Sequence, residues 1–552
     1  MGFKPIANNS TNFPDAYEPC SLCAGLGLHP LAGHYTLLLC PTALSRRTLL
    51  CLSPRCFTLA AHAMNNNRTL LIASFLTLIA AGVGFAIRGG GMMGEWANAF
   101  GFDKTDLGKI SGLGLTGFGL TIIVCSLIVD RVGYKPLLLL AFGLHVASAV
   151  ITLAATPIYQ AMGKDATRTC LGLGMFMFAL ANGVCESVIN PLVATLYSKQ
   201  KTHYLNILHA GWPAGLIVGG LMAFTFVGNA APMHLRWEIP IALFLLPTLA
   251  YGFMVIKEKF PDSEAKAAGL TFGKMASVFA SPVLWVLLLL HAMIGYVELG
   301  TDSWITDIMN NVIQGKAVLL FVYTSSIMFI LRFFAGPIVE RINPVGLLLA
   351  SSLLGCAGLY WLSGASGIWM VVLAATVYGV GKTFLWPTIL GVVGERFPQG
   401  GALVMGAMGG IGMITAGEIA SPVIGYQQDF YASQELEKTS KPIYDEYKAP
   451  EPNHVLFFPE VTGLDGKKAE AIKEKRAKGE DITTAEQQVF DAGLYGGRMA
   501  LQKTALVPLI MAIGFLLLVI YFRLTGGYQA EELKSHRPEG EEFTGGVEGP
   551  VA

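Results

Sequence analysis

Ten ionisable side chains interrupt apolar stretches of this sequence, and they are the residues most able to bind a solute or an ion. They are Arg88, His145, Glu186, His209, His291, Glu298, Asp302, Arg332, Lys382 and Glu418. A charged side chain at the centre of a bilayer costs about 2.5–3.5 kcal/mol on insertion scales, so each of them needs a partner or a polar cavity. We interpret His145 and His291 as hydrogen-bonded core histidines and expect several of the others to line a site.

The apolar stretches around these residues are long enough to be transmembrane helices. Of the 552 residues, 53% are hydrophobic and 14% are charged, whereas soluble domains carry about 25% charged residues. About 20 apolar residues cross the hydrocarbon core as a helix. Such runs occupy residues 69–88, 108–130, 135–156, 169–197, 206–228, 238–256, 283–303, 317–338, 345–363, 368–394, 401–426 and 505–524. The predicted fold class is an all-α membrane protein with twelve transmembrane helices.

Composition and motifs exclude several other classes of protein. The 38 basic residues equal the 38 acidic residues in number, so no basic field is available to bind a nucleic acid. Cys20 and Cys23 have the spacing of half a zinc site, but no second pair of ligands follows at a usable distance. The triplet at 381–383, Gly-Lys-Thr, lacks the first glycine of a phosphate-binding loop. We therefore expect neither a metal nor a cofactor, and no ATP-driven or enzymatic chemistry.

Changes in composition divide the chain into seven segments. The first 63 residues lack periodicity and are interpreted as an unstructured or mis-assigned extension, with Met64 as the expected start of the functional chain. The other predicted segments are a six-helix bundle at 64–256, a cytoplasmic linker at 257–281, helices 7–11 at 282–427, an extracytoplasmic insert at 428–503, helix 12 at 504–527 and a cytoplasmic tail at 528–552. For the insert, a small ordered cap and a solvated extension remain equal alternatives.

An acidic-arginine pair follows both the second and the eighth predicted helix. Asp130 and Arg131 form the first pair, and Glu340 and Arg341 form the second. Equivalent loops in the two halves indicate an internal duplication, and the four residues are interpreted as latches between helices. Parallel six-helix repeats belong to a transporter architecture that binds its solute near the membrane midplane. We therefore expect two pseudo-symmetric six-helix bundles.

A second repeat lies inside the fourth and tenth predicted helices. Residues 183–191 and 379–387 share the same spacing from a glycine to a proline. This places Glu186 and Lys382 at equivalent depths, where both are expected to face a central cavity. The two side chains are predicted to pair directly, through water or through the solute, with Arg88 competing for the carboxylate. The alternative is that Lys382 reaches a membrane surface along its own helix.

The loop at 126–135 resembles the signature loop of the major facilitator superfamily, with Ser126 and Tyr134 as its two departures. More narrowly, the sequence resembles the fucose permease branch of that superfamily. The residues that carry this second resemblance are Glu186, Asn190, Pro191, Leu205, Asn206, His209, Gly215, Tyr296, Glu298 and Trp304. The resemblance covers residues 69–427 and the last helix, but neither the first 63 residues nor the insert.

The resemblance implies a mechanism and roles for particular residues. Members of the fucose permease branch are sugar symporters, mostly driven by protons, and Glu186 matches the carboxylate that takes up the driving proton. Gly90 occupies the place of the family's second proton-linked carboxylate, with Arg88 two residues away. Arg332 is similar to a structural arginine of the superfamily. Because Gly90 cannot bind a proton as the family's carboxylate does, Na⁺ remains an alternative to H⁺ as the coupling ion.

Together these observations predict a secondary transporter for a small polar solute, a sugar or a sugar acid. The expected substrate-binding residues are Arg88, Asn190, Asn206, His209, Glu298, Trp304, Lys382 and Trp386, with Trp212 as a further stacking platform. Lys and Arg are more frequent in alternate loops, which predicts that both termini lie in the cytoplasm. We expect the protein to be a monomer in the inner membrane. A non-transporting solute receptor and an organic-anion transporter remain the alternatives.

Overall fold

The helices of the protein are long, apolar and mostly continuous. The computed structural model describes residues 54–88, 92–102, 107, 110, 114–227, 231–233, 235–313, 317–531 and 533. Within that part, ten helices are long and apolar enough to cross a membrane, and two shorter apolar helices lie among them. In chain order they are α1 (Asn66–Ala86), α2 (Leu115–Ser126), α3 (Tyr134–Leu153), α4 (Ala155–Leu196), α5 (Lys201–Phe226), α6 (Glu238–Lys257), α7 (Pro282–Ile313), α8 (Ala317–Arg332), α9 (Ala335–Gly364), α10 (Ile368–Arg396), α11 (Pro398–Thr439) and α12 (Thr484–Leu524).

Each of the twelve predicted spans overlaps one of these helices, and α2 and α8 are the two short ones. In the described part of the chain, the connections hold six smaller α-helices. These are Met92–Phe100, Val129–Val132, Glu264–Ala267, Phe272–Ser277, Lys441–Tyr447 and Gly466–Lys478. The helix that contains α1 begins at Pro54 and so continues through the predicted boundary at Met64. Cys20 and Cys23, and most of the predicted tail, lie outside the described residues.

Two helices are interrupted by a residue with a positive φ angle. In α4 the interruption is at Gly163 (φ 81°), and in α9 it is at Asn343 (φ 54°). Asparagine is one of the few residues besides glycine that tolerates this left-handed conformation. Pro344 follows directly and can begin a helix because it needs no amide donor there. The apolar part of α9 therefore starts at Pro344, one residue before the span predicted from the sequence.

A π-helical turn lies within α7 and another within α11. They span Tyr296–Gly300 and Thr415–Ala420. A π turn holds one more residue than an α turn, so it rotates the side chains that follow it, and such turns occur often at functional sites. Close to the first of them, a Cβ atom added to Gly295 would lie 2.1 Å from the carbonyl oxygen of Gly412. The backbones of α7 and α11 can approach this closely only because residue 295 has no side chain.

The helices pack in two groups along the chain. Helix α1 packs against α5 and α6, and α3 packs against α4, while α9 packs against α10 and α12. The two groups meet where α2 packs on α11, α5 on α8, and the first part of α5 on the end of α10. The interface between the groups is therefore formed by α2, α5, α8, α10 and α11.

The segment between α11 and α12 is folded and has a small core of its own. Helix α11 continues to Thr439, and α12 begins at Thr484, so both helices extend into this segment. A buried cluster joins these extensions to the helix Gly466–Lys478. Its members are Leu436, Ile472, Val489, Phe490 and Ala492. Two antiparallel bridges, Lys448 with Leu464 and Asn453 with Val461, close the connection between the helices. We refer to residues 428–503 as the cap.

The first turn of α12 is stabilised by a capping box. The Thr483 hydroxyl accepts a hydrogen bond from the Glu486 amide, and the Glu486 carboxylate accepts one from the Thr483 amide. Loss of such a cap costs about 1 kcal/mol. We expect Thr483→Ala to speed hydrogen–deuterium exchange in the first turn of α12 about fivefold. Thr525→Ala, at the other end of α12, is the matched control, and an unchanged exchange rate in Thr483→Ala would contradict this prediction.

Candidate functional site

A chain of hydrogen bonds in the middle of the protein begins at Glu186 of α4. The Glu186 Oε2 atom accepts a hydrogen bond of 2.6 Å from Asn190 Nδ2, one helical turn away. Asn190 Oδ1 lies 2.9 Å from His209 Nε2 of α5. All three side chains are buried. No basic side chain lies within ion-pair distance of Glu186 among the described residues, so its only direct partner there is an amide.

Arg332, at the end of α8, connects this chain to the other half of the protein. Its Nη1 atom donates to the His209 carbonyl oxygen (2.6 Å), and its Nε atom donates to the Thr383 carbonyl oxygen (2.8 Å). Its Nη2 atom forms an ion pair of 3.0 Å with Glu298 Oε1 in the π turn of α7. All three guanidinium nitrogens therefore have partners, and the charge of Arg332 is neutralised by Glu298.

Lys382 of α10 forms the second buried ion pair, and its partner is Asp302 of α7. The Lys382 Nζ atom lies 2.5 Å from Asp302 Oδ1 and 2.8 Å from Oδ2. The Lys382 side chain is 0% exposed, so it does not reach a membrane surface. The predicted direct pairing of Lys382 with Glu186 is absent. Asp302 lies four residues after Glu298, and α7 presents both carboxylates to the two cations.

A small cavity lies between the two halves and is bordered by the first ion pair. Its lining residues are Glu186, His209, Trp212, Glu298, Leu299, Arg332, Trp386 and Met413. About 20 Å³ of it is open to the centre of a water molecule, which is room for one water but not for a sugar. Two indole rings and four other hydrogen-bonding side chains thus surround one narrow space.

Several polar atoms at or near the cavity have no hydrogen-bond partner among the described residues. They include Glu298 Oε2, both ring nitrogens of His291 and Asn206 Oδ1. The His291 ring lies 4.4 Å from the ring of Trp386, which lines the cavity. Asn206 uses only its amide nitrogen, which donates to the Thr202 carbonyl and to the Thr388 hydroxyl. Because a buried polar group without a partner is costly, a ligand with hydroxyl groups would stabilise this arrangement.

Five of the eight predicted substrate-binding residues lie outside the cavity lining: Arg88, Asn190, Asn206, Trp304 and Lys382. The Trp304 indole donates to the carbonyl and hydroxyl oxygens of Ser421 and packs beside Tyr296 and Val423, between α7 and α11. Arg88 contacts α3, α4 and α6 instead, with its guanidinium 4.5 Å from the ring of Phe178. The predicted competition of Arg88 for the Glu186 carboxylate is therefore not a direct contact.

The face predicted to be cytoplasmic is closed by polar contacts between α5, α10 and the linker. Lys201 Nζ lies 2.7 Å from Glu264 Oε2, and the Thr202 hydroxyl donates to Glu395 Oε1 over 2.5 Å. On the same face, the Ser263 hydroxyl donates to Asp130 Oδ1 over 2.5 Å. The remaining residues of the two predicted latches are exposed; they are Arg131, Glu340 and Arg341. We call the contacts made by Lys201, Thr202 and Glu395 the α5–α10 contact.

Gly391 makes the α5–α10 contact sensitive to side-chain size. A Cβ atom at this position would lie 2.3 Å from the Thr202 hydroxyl oxygen and 2.7 Å from its Cα atom. We expect Gly391→Ala to separate the two helices and to speed the alkylation of a cysteine introduced at Ala194, in the adjoining cavity, several-fold. The measurement is peptide mass spectrometry after timed labelling. Gly143→Ala, where a Cβ would meet open space, is the control, and equal rates in the two variants would count against the prediction.

Sequence reasoning identified most of the charged residues but not their partners. Asp302 is one of the ten ionisable residues of the apolar stretches, but the sequence does not identify it as the partner of Lys382, because the π turn at Tyr296–Gly300 changes which side chains of α7 share a face. His291 was interpreted as a satisfied core histidine, yet neither ring nitrogen has a partner among the described residues. The contacts of Thr202 and Glu395 had no signal in the sequence, since they depend on how two helices meet.

The helices and the buried charges define a multi-pass membrane protein of the transporter type. Residues 70–417 match the family model of the Major Facilitator Superfamily, which is more than half of the chain. The protein therefore belongs to the Major Facilitator Superfamily, and the resemblance predicted from residues 126–135 is confirmed. No curated protein matches the chain in sequence.

Solved structures of the same superfamily share the fold. The fucose:proton symporter FucP of E. coli superimposes with a TM-score of 0.55 at 16% identity, over 82% of this chain and 98% of FucP. The human organic anion transporter MFSD10 superimposes with a TM-score of 0.53 at 12% identity, over 81% of this chain and 99% of MFSD10. The proton:xylose symporter XylE, bound to 6-bromo-6-deoxy-D-glucose, superimposes with a TM-score of 0.56 at 12% identity, over 82% of this chain and 95% of XylE. At these identities the similarity establishes the fold alone.

Proposed function

We propose that this protein is a twelve-helix secondary transporter, built of two six-helix bundles, that moves a neutral sugar together with a proton by alternating access. Both termini are proposed to lie in the cytoplasm, as the distribution of Lys and Arg indicates, and the protein is proposed to act as a monomer in the inner membrane. The observation that carries the proposal is the charge balance of the buried site around the central cavity.

The buried site holds three carboxyl groups and two cations. Glu298 pairs with Arg332, and Asp302 pairs with Lys382. Glu186 is left without a basic partner at ion-pair distance in the described part of the chain. A buried carboxylate without a counter-charge is unfavourable in a low dielectric, and one proton on Glu186 makes the site neutral. This supports Glu186 as the group that binds and releases the coupled proton.

The free hydrogen-bonding atoms favour a neutral solute over an anionic one. Arg332 and Lys382 have their charges neutralised within the protein, so neither offers a free positive charge to a carboxylate. The atoms that remain without a partner include a carboxylate oxygen of Glu298 and an amide oxygen of Asn206. Both are acceptors, and sugar hydroxyls are donors. The indole rings of Trp212 and Trp386 supply apolar surfaces for the sugar ring.

The size of the cavity implies that the site must open before it can bind solute. About 20 Å³ of accessible space holds one water, so the structure describes a closed arrangement. The α5–α10 contact lies on one face and includes hydrogen bonds from the Thr202 amide and hydroxyl to Glu395 Oε1. Such contacts can exchange with water at low cost, which supports rocking of the two bundles about the site.

Transport by purified protein in liposomes tests the proposal. Vesicles with an inwardly directed proton gradient should accumulate labelled neutral hexoses or 6-deoxyhexoses, and a protonophore should abolish the accumulation. Uronates of the same size serve as the anionic comparison and are expected to be poor substrates. Binding of hexose without accumulation would indicate a receptor, and accumulation of uronate alone would indicate an organic-anion transporter; either result would overturn the proposal.

A further inference from the structure

A further buried cation lies away from the central cavity and has no negative partner among the residues that the structure describes. Arg88 follows α1 directly and is 1% exposed. Its Nη2 atom donates to the Ser148 hydroxyl over 3.1 Å, while Nε and Nη1 have no hydrogen-bond partner among the described residues. We propose that Arg88 binds a small monovalent anion of the size of chloride, enclosed by α1, α3, α4 and α6.

Two aromatic rings pack against the Arg88 guanidinium. Its Cζ atom lies 4.5 Å from the centre of the Phe178 ring and 4.6 Å from that of Phe244. Such contacts stabilise a cation by about 0.5–2 kcal/mol, less than the cost of placing an unpaired charge in the membrane interior. The rings therefore position the guanidinium but do not neutralise it.

The carboxylates of the neighbouring described helices are engaged elsewhere. On α4, Glu186 is bonded to Asn190 and Asp165 is paired with Arg168, and on α6 Glu238 is paired with Arg236. His145 is an ionisable side chain that contacts the same two rings, and its ring nitrogens lie against Tyr251 and Asn182.

These contacts leave Arg88 without a counter-charge in the part of the protein that the structure describes. An external anion supplies that charge, since a buried cation requires a partner.

The donors at Arg88 suit a spherical anion. The Ser148 oxygen accepts from Nη2, and its own proton remains available to donate. The Nε–H group lies on the same edge of the guanidinium as Nη2, so an anion at this edge receives hydrogen bonds from Nε and from the Ser148 hydroxyl. A chloride ion accepts both, and its single charge matches that of the guanidinium.

The surroundings exclude a large anion. A Cβ atom at Gly84 would lie 2.4 Å from the Phe178 ring and 2.9 Å from Arg88 Nη1, so the packing around the guanidinium is tight. Phe178 also precedes Glu186 by eight residues on α4, which is about 12 Å along a helix, and Arg88 is not among the residues lining the cavity. The anion site is thus distinct from the proposed sugar site.

Thermal unfolding of the purified protein in matched chloride and gluconate buffers tests this inference. We expect chloride to raise the apparent Tm of the wild-type protein saturably, by about 3 °C, and bromide to act similarly. Arg88→Gln should lose the dependence on halide, and Ser148→Ala should weaken it. Thr248→Val, which removes another buried hydroxyl bonded only to its own helix, should retain the full response.

Crystals of the wild-type protein grown in bromide provide a second readout that needs no variant. An anomalous peak beside Arg88 and Ser148 would support the site even if Arg88→Gln failed to fold. An equal Tm in chloride and gluconate, a halide response that persists in both variants, or stabilisation by acetate but not by halides would each overturn the inference.

Discussion

Replacement of Glu186 by glutamine is expected to abolish accumulation of solute while leaving exchange of solute across the membrane largely intact. The variant keeps the hydrogen bond with Asn190 but cannot carry a proton. One charge moved across 100 mV is worth about 2.3 kcal/mol, which corresponds to about a fifty-fold gradient of solute. Wild-type vesicles at this potential should approach such a gradient, whereas Glu186→Gln vesicles should only equalise the two concentrations.

Counterflow and accumulation assays on the same vesicles separate coupling from binding. Glu418→Gln is the matched control, because Glu418 is an exposed carboxyl of α11 that accepts a hydrogen bond from Thr116 and does not line the cavity. Accumulation by Glu186→Gln at wild-type rates between about pH 5.5 and 8 would show that Glu186 is not the proton carrier. Loss of counterflow as well would place Glu186 among the substrate ligands.

The ion pair between Lys382 and Asp302 is expected to dominate the stability of the second half of the protein. Lys382→Ala strands a carboxylate that is 6% exposed, and breaking a buried pair in this way costs about 3–5 kcal/mol. Adding Asp302→Asn removes the stranded charge and should restore much of the lost stability. The apparent Tm of the two single variants and the double variant, with and without solute, gives the coupling between the residues.

A second cycle with Glu186 is the comparison for this experiment. Lys382 contacts Asp302 and not Glu186, so Lys382→Ala and Glu186→Gln should have additive effects on the apparent Tm. Strong coupling in the cycle with Glu186 and none in the cycle with Asp302 would show that the pair assigned here is the wrong one.

The positions of the helices could be predicted from the sequence because hydrophobic length is a strong signal in membrane proteins. Each predicted span overlaps an observed helix, and the differences are mainly at the ends, where helices run on into polar segments. Length alone could not show whether the segment at 428–503 is folded. Its buried cluster depends on how two extended helices and Gly466–Lys478 meet.

The pairing of the buried charges could not be predicted in the same way. The repeat gives the depth of Lys382 in the membrane but not the direction in which its side chain points. The π turn at Tyr296–Gly300 changes the rotation of α7, and this helix carries both Glu298 and Asp302. A regular α-helix was the natural assumption, so the two ion pairs could be identified only from coordinates.

Helix α11 continues through its π turn and into the cap, which makes the cap a mechanical indicator of the state of the transporter. The 42 residues of α11 correspond to about 63 Å of helix, roughly twice the thickness of the hydrocarbon core. A small tilt of α11 within the membrane is therefore enlarged at the far end. Fluorophores on the cap and at the Leu153 end of α3 would report this tilt as a change in distance. A binding protein fixed to the cap should slow the proposed alternating access without contacting the central cavity.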